Sequence, residues 1–128
     1  MIVVDTSVWL AAPRQRAVAD ALRELIEADD VALALPVRLE LLARTARRDR
    51  VAFRRVYGAL PQLHPSAATW IPIPGWLEQA NDAGECFDLV DLLIAAMAAE
   101  IGGLVWSLDK DFERMERLKL VSLYSLAH

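Results

Sequence analysis

Ile2-Val3-Val4-Asp5-Thr6-Ser7 follows the initial methionine, and its pattern sets the class of fold. Three consecutive β-branched residues favour extended backbone and leave no polar position, so the strand they form must be covered on both faces. A short, wholly apolar strand of this kind belongs to a parallel sheet lying between helices. The run stops at Asp5, which puts an acid where the strand leaves the sheet. Asp5 also suits a helix cap, and Thr6 and Ser7 are able to cap whatever follows.

The rest of the chain alternates in the same sense. Val18, Ala21, Leu22, Leu25 and Ile26 recur at helical spacing and predict a helix from Arg16 to Ala28, ended by Asp29-Asp30. Val31 to Leu35 is a second buried strand, with Pro36 at a first helical position. Leu39, Leu42, Ala43 and Ala46 give the next helix a stripe that is expected to face the core, or else to line a groove for a partner helix. A helix over Val51 to Leu60 precedes a proline-rich loop at 61–66. Thr69 to Ile73 is expected to be an edge strand, as Pro72 suits an edge. Helices follow over Gly75 to Cys86 and Asp88 to Ile101, the latter stopped by Gly102-Gly103. Leu104 to Ser107 is a strand, Asp111 to Leu118 a helix, and Leu120 to Leu126 a last strand. The expected fold is α/β, a parallel five-stranded sheet covered on both faces, as one domain over residues 1–128.

Composition narrows the function. The chain has 128 residues, of which 55 % are apolar and 25 % charged, a balance that excludes a disordered chain. With one cysteine, Cys86, neither an internal disulfide nor a Cys-based zinc site is possible. A reducing compartment is favoured, and Cys86 reads as a small buried hydrophobe. The start, MIVVDTSVWL, lacks a basic leader, and no apolar run reaches the ~18 residues of a membrane span. A cytoplasmic location with no membrane contact is expected. Trp70 and Trp106 fall in apolar strands and are expected to be buried rather than to stack on bases; Trp9 and Trp76 stay open. His64 and His128, in loop and tail, are not expected to act in catalysis.

Ligands of an open parallel sheet bind beyond the carboxyl ends of its strands. Asp5 and Asp109 lie just past two predicted strands, and Glu40 lies in the opening turns of the helix after a third. Asp91 lies in the first turn of the helix preceding the strand that leads to Asp109. Each has an ordinary reading: Asp5 as a cap, Glu40 as a solvent-facing acid, Asp109 as a turn residue. Asp88 and Asp91 together resemble a capping box. Four carboxylates converging on one rim, however, repel one another, and a divalent cation with oxygen ligands relieves that repulsion. Mg²⁺, or Mn²⁺, suits such a set, whereas no His or Cys lies near enough in sequence to favour zinc.

Four segments carry a resemblance. Val4-Asp5-Thr6-Ser7-Val8-Trp9, Leu39-Glu40-Leu41-Leu42, Val90-Asp91-Leu92-Leu93-Ile94-Ala95-Ala96 and Ser107-Leu108-Asp109-Lys110-Asp111-Phe112 resemble, in order and spacing, the motifs of PIN domains, in particular the VapC toxins of bacterial toxin–antitoxin pairs. The resemblance implies a three-layer α/β/α fold around a parallel five-stranded sheet, its first and fourth strands adjacent. It implies that Asp5, Glu40, Asp91 and Asp109 form a metal-binding catalytic quartet, with Asp5 and Asp91 the expected direct ligands. Asp111 would be an auxiliary acid, and Ser7 or Thr6 a hydroxyl bonded within the site. Ser107-Leu108 stands where many relatives have Thr-Arg, so a phosphate contact is missing while the hydroxyl remains.

The implied activity is Mg²⁺- or Mn²⁺-dependent endoribonuclease cleavage, by a homodimeric toxin blocked by a VapB-like antitoxin. The alternatives are a PIN nuclease that processes RNA without being a toxin, and an inactive protein-binding scaffold. A phosphate-accepting receiver domain fits poorly, because no Asp ends the central strand and Lys110 sits in an acidic turn. For RNA, Arg38, Arg44, Arg47, Arg48, Arg50, Arg54 and Arg55 form a basic segment offset only by Glu40 and Asp49. Arg44, Arg47 and Arg48 are the candidates for holding the phosphate backbone. The same segment also suits a solvated helical face or an acidic partner.

Overall fold

A computed structural model describes residues 1–126; His128 lies outside the described residues. Four parallel strands, β1 (Ile2–Val4), β2 (Val31–Ala34), β3 (Gln62–Leu63) and β4 (Leu104–Trp106), form one sheet in the order β3-β2-β1-β4. The predicted fold class therefore stands, with four strands rather than five. Ile2 pairs with Val31 on one side and Leu104 on the other, and Val4 pairs with Trp106. The chain steps outward from β1 through β2 to β3, then crosses back to β4 on the opposite flank of β1. This reversal opens a crevice at the carboxyl ends of β1 and β4, where ligands of open α/β sheets bind.

Helices flank the sheet: α1 (Thr6–Ala11), α2 (Arg16–Glu27), α3 (Leu35–Ala43), α4 (Arg50–Tyr57), α5 (Ile73–Asp82), α6 (Leu89–Glu100) and α7 (Lys110–Arg117). Every residue of β1 and β2 is buried, as their lack of polar positions requires. In α6, Leu92 through Ala98 are all buried, so this helix is apolar around its whole circumference and sits in the interior. It ends in a Schellman turn. Gly102 has a φ of +63°, and the Gly103 N–H reaches back to the Ala98 carbonyl at 2.9 Å. A Cβ on Gly103 would lie 2.6 Å from the Met1 carbonyl oxygen, so a glycine is required where β4 starts beside β1. Among the described residues no helix is long and apolar enough to cross a membrane.

Several expectations fail for identifiable reasons. Thr69 to Ile73 is not a strand. Ala67–Trp70 forms a 3₁₀ turn, fixed by reciprocal Ser66 and Thr69 capping and by Thr69 and Ser66 hydroxyls donating to Glu100 at 2.7 and 3.2 Å; Pro72 then starts α5. Trp70 is consequently 44 % exposed rather than buried, while Trp106 and Trp9 are buried and Trp76 is half-buried. The expected last strand shrinks to one parallel bridge, Val105 to Leu123. Cys86 is exposed, not buried, because α5 stops at Asp82 and leaves it in the following loop. The stripe on α3 does not face the core. Val37 and Leu41 do, whereas Leu39 and Leu42 are exposed and line a groove with Phe53 and Tyr57 of α4. The Asp88 side chain makes no capping bond to α6.

Candidate metal centre

Asp5 leaves β1 at the crevice, and its backbone N–H donates to the Trp106 carbonyl at 2.9 Å, continuing the β1–β4 ladder. It is the cap of α1, a place the sequence also offered to Thr6 and Ser7. The buried Asp5 carboxylate accepts at Oδ2 from the Ser7 and Ser107 hydroxyls, each at 2.8 Å. Those hydroxyl oxygens accept in turn. Ser7 Oγ takes the Leu108 N–H and Ser107 Oγ the Asp109 N–H, both at 3.0 Å. The loop after β4 is thus fastened to the junction of β1 and α1 through one carboxylate and two serines. Ser7 bonds within the site as the resemblance implies; Ser107 joins it, and its place directly after a strand is the sequence signal for that.

Asp109 caps α7, its Oδ1 accepting the Asp111 N–H at 3.0 Å. Asp91 lies in the first turn of α6, so that helix does begin at the rim. Carboxylate oxygens of Asp91, Asp109 and Asp111 all lie within 4.8 Å of one another. Asp5 and Glu40 stand outside this trio but load it with charge. The Asp91 carboxyl is pushed from 3.8 to about 7, first by burial and then by Asp5, Asp109, Asp88 and Glu40. Glu40 is raised too, by burial first and then by Asp5, with Asp88 adding to the effect. The Thr6 hydroxyl and the guanidinium of Arg44, the residue that ends α3, favour its ionised form. The Thr6 hydroxyl is buried with no partner at hydrogen-bond distance among the described residues, so its effect on Glu40 acts across a longer gap. Asp88 is an acid that sequence reasoning assigned to capping alone; the fold turns its charge toward Glu40 and Asp91 instead.

Of the candidate arginines, Arg44 borders the centre. Arg47 and Arg48 lie in an exposed 3₁₀ turn, Arg47–Asp49. Arg38 is engaged by the Gln62 side chain at 3.2 Å.

The donor set is all oxygen, negatively charged and crowded enough to hold a proton on Asp91 near neutrality. Those are the properties that suit a hard divalent cation. The arrangement defines a class first: an α/β protein with a carboxylate cluster at the switch point of a parallel sheet. The chain belongs to the PIN domain family, whose model matches residues 2–118. Solved chains of similar structure include the following three. VapBC2 from Rickettsia felis, bound to a DNA fragment from its promoter, matches at TM-score 0.77 and 17 % identity over 97 % of this chain and 98 % of that one. FitAcB from Neisseria gonorrhoeae matches at TM-score 0.74 and 20 % identity over 100 % and 99 %. VapBC-1 from nontypeable Haemophilus influenzae matches at TM-score 0.76 and 15 % identity over 98 % and 98 %. At such identities the likeness is one of fold. No curated protein is significantly similar in sequence.

Proposed function

We propose that the protein is a divalent-metal-dependent endoribonuclease and the toxin of a VapBC-type toxin–antitoxin pair. The observation that carries the reading is the meeting of Asp91, Asp109 and Asp111 within 4.8 Å in a PIN domain. These three would hold Mg²⁺ or Mn²⁺, with Asp5 and Glu40 contributing directly or through water. When bound, such a cation offsets charge on a phosphodiester and activates water toward it. The chain's own residues orient and accept. Ser7 and Ser107 keep Asp5 in one orientation. The Glu40 carboxylate, raised by burial and by Asp5, would serve as the group that accepts a proton from water during hydrolysis. Arg44, Arg47 and Arg48 would hold the RNA backbone as point charges along its approach.

The toxin assignment rests on the resemblance of the four sequence motifs to those of VapC toxins, together with likeness in fold to the VapBC structures. A VapB-like antitoxin, a homodimeric state and a cytoplasmic location belong to the same proposal. The exposed Leu39 and Leu42, beside Phe53 and Tyr57, offer a partner helix an apolar seat.

The test is cleavage of a panel of cellular RNAs, with and without Mg²⁺ or Mn²⁺, with cut ends mapped. Metal-dependent cleavage that Asp5→Asn abolishes without unfolding supports the nuclease; normal turnover by that variant, or cleavage in chelator, sinks it. Growth arrest on expression, relieved by the product of a neighbouring gene, separates a toxin from an RNA-processing enzyme.

A further inference from the structure

Arg114 reaches the acidic centre from α7. Its guanidinium donates to Asp111 Oδ1, and its Nε lies 3.0 Å from Glu85 Oε2, an ion pair whose angle does not make a hydrogen bond. All three side chains are about one-third exposed, by 33 % for Arg114, 29 % for Glu85 and 30 % for Asp111. Taken alone, Asp111 and Arg114 are an ordinary i,i+3 helix pair of small worth. The contact with Glu85 changes what the pair does. Glu85 lies in the segment 83–88 that leads into α6, the helix bearing Asp91 in its first turn. One permanently charged guanidinium therefore lies between the start of α7, with Asp109 and Asp111, and the approach of α6, bonded to the first and paired by charge with the second.

We propose that Glu85 and Arg114 form a positioning relay that sets how much negative charge Asp111 presents to the metal; this rests on the metal-site reading above. Arg114 shares the charge of Asp111 and holds its carboxylate in place. Glu85 draws part of that guanidinium away and so restores charge to the centre. The relay has a signature that damage to the fold lacks, since its two members act in opposite directions.

The experiment is titration of the RNA-free protein with Mn²⁺ alone, following unbound Mn²⁺ by its electron paramagnetic resonance signal. Arg114→Gln adds one net negative charge several ångströms from the ion, so Mn²⁺ should bind roughly threefold or more tightly, while RNA cleavage falls because Asp111 loses its hold. Arg114→Lys should return Mn²⁺ affinity to the wild-type value. Glu85→Gln should weaken Mn²⁺ binding, and should do so far less when Arg114 is already Gln. Thermal unfolding in chelator should leave both single variants close to wild type. Weaker Mn²⁺ binding by Arg114→Gln overturns the relay, and so does an effect of Glu85→Gln that is equal in both backgrounds. If the wild type takes up no Mn²⁺ at all, the metal-site reading falls and the relay with it; if it binds Mn²⁺ and the variants match it, the relay alone falls.

Discussion

Asp91→Asn should make the metal-free protein more stable while ending cleavage. Burial comes first among the causes that raise the Asp91 carboxyl, and Asp5, Asp109, Asp88 and Glu40 then act in the same sense. In the unfolded chain this acid gives up its proton near 3.8, in the fold at about 7. Between those values the folded state holds the extra proton. Wild-type stability therefore falls as pH rises through that window and stays low above it. A tenfold change in proton affinity is worth about 1.4 kcal/mol, so the whole displacement sets a ceiling of about 4 kcal/mol. Asp91 is only half-buried, and solvent screening brings the expected gain down to roughly 1–2 kcal/mol. For a domain of this length that is about 3–8 °C in Tm. Calorimetry in chelator should show the variant melting higher at pH 8 and the two proteins converging near pH 4. Added Mg²⁺ or Mn²⁺ should reverse the order, because only the wild type then gains binding free energy. A variant that melts lower at pH 8 in chelator, or a gap of equal size at pH 4, would refute the electrostatic account of the centre.

Replacing Arg44, Arg47 and Arg48 together by Gln should weaken RNA binding and flatten its salt dependence, by about 0.7 in the slope of log K against log salt per lost phosphate contact. A slope equal to wild type, measured by fluorescence anisotropy, would take these residues out of the RNA path. Ser107→Ala removes both the hydroxyl that donates to Asp5 and the acceptor of the Asp109 N–H. It should lower cleavage or metal affinity about 10- to 100-fold with little change in Tm; wild-type turnover would show that Asp5 is oriented without it.

The sheet was legible where residues had no polar alternative: Ile2–Val4 and Val31–Ala34 admit no environment but a covered strand. Asp5 and Asp109 were legible with it, since each is the acid that follows a strand. Other features depend on contacts distant in sequence. Ala67–Trp70 is apolar enough for a strand, and what makes it a turn is a local Ser66–Thr69 cap that Glu100, from a distant helix, completes. Among the described residues the strip after α7 pairs with β4 only at Leu123, whose N–H is taken on its other side by the Glu116 carboxylate at 2.8 Å. Leu39 and Leu42 follow helical periodicity as well as Val37 and Leu41 do, and the packing of α3 against elements distant in sequence, α1 and α6 among them, decides which pair is covered. Asp88 matched a local capping pattern, but its charge acts on Asp91 of the same helix and on Glu40 of α3. Arg114 gave no signal, because its i,i+3 partner is commonplace and Glu85 meets it only in the folded chain.

Capping and function do not compete for these acids. Asp5, Asp88 and Asp109 occupy the N-cap positions of α1, α6 and α7, so three helix amino ends converge on the carboxylate cluster. Unpaired N–H groups at a helix start carry positive partial charge and favour an anion. They temper repulsion that burial otherwise strengthens, and they do so without occupying a cation site. Asparagine caps a helix about as well as aspartate, whereas alanine does not. At Asp5 and Asp109, where the side chain does accept the capping N–H, Asn therefore removes charge and leaves the cap, and Ala removes both. A loss of cleavage shared by Asn and Ala, with a loss of Tm confined to Ala, is the pattern expected if each acid serves the helix through its shape and the metal through its charge.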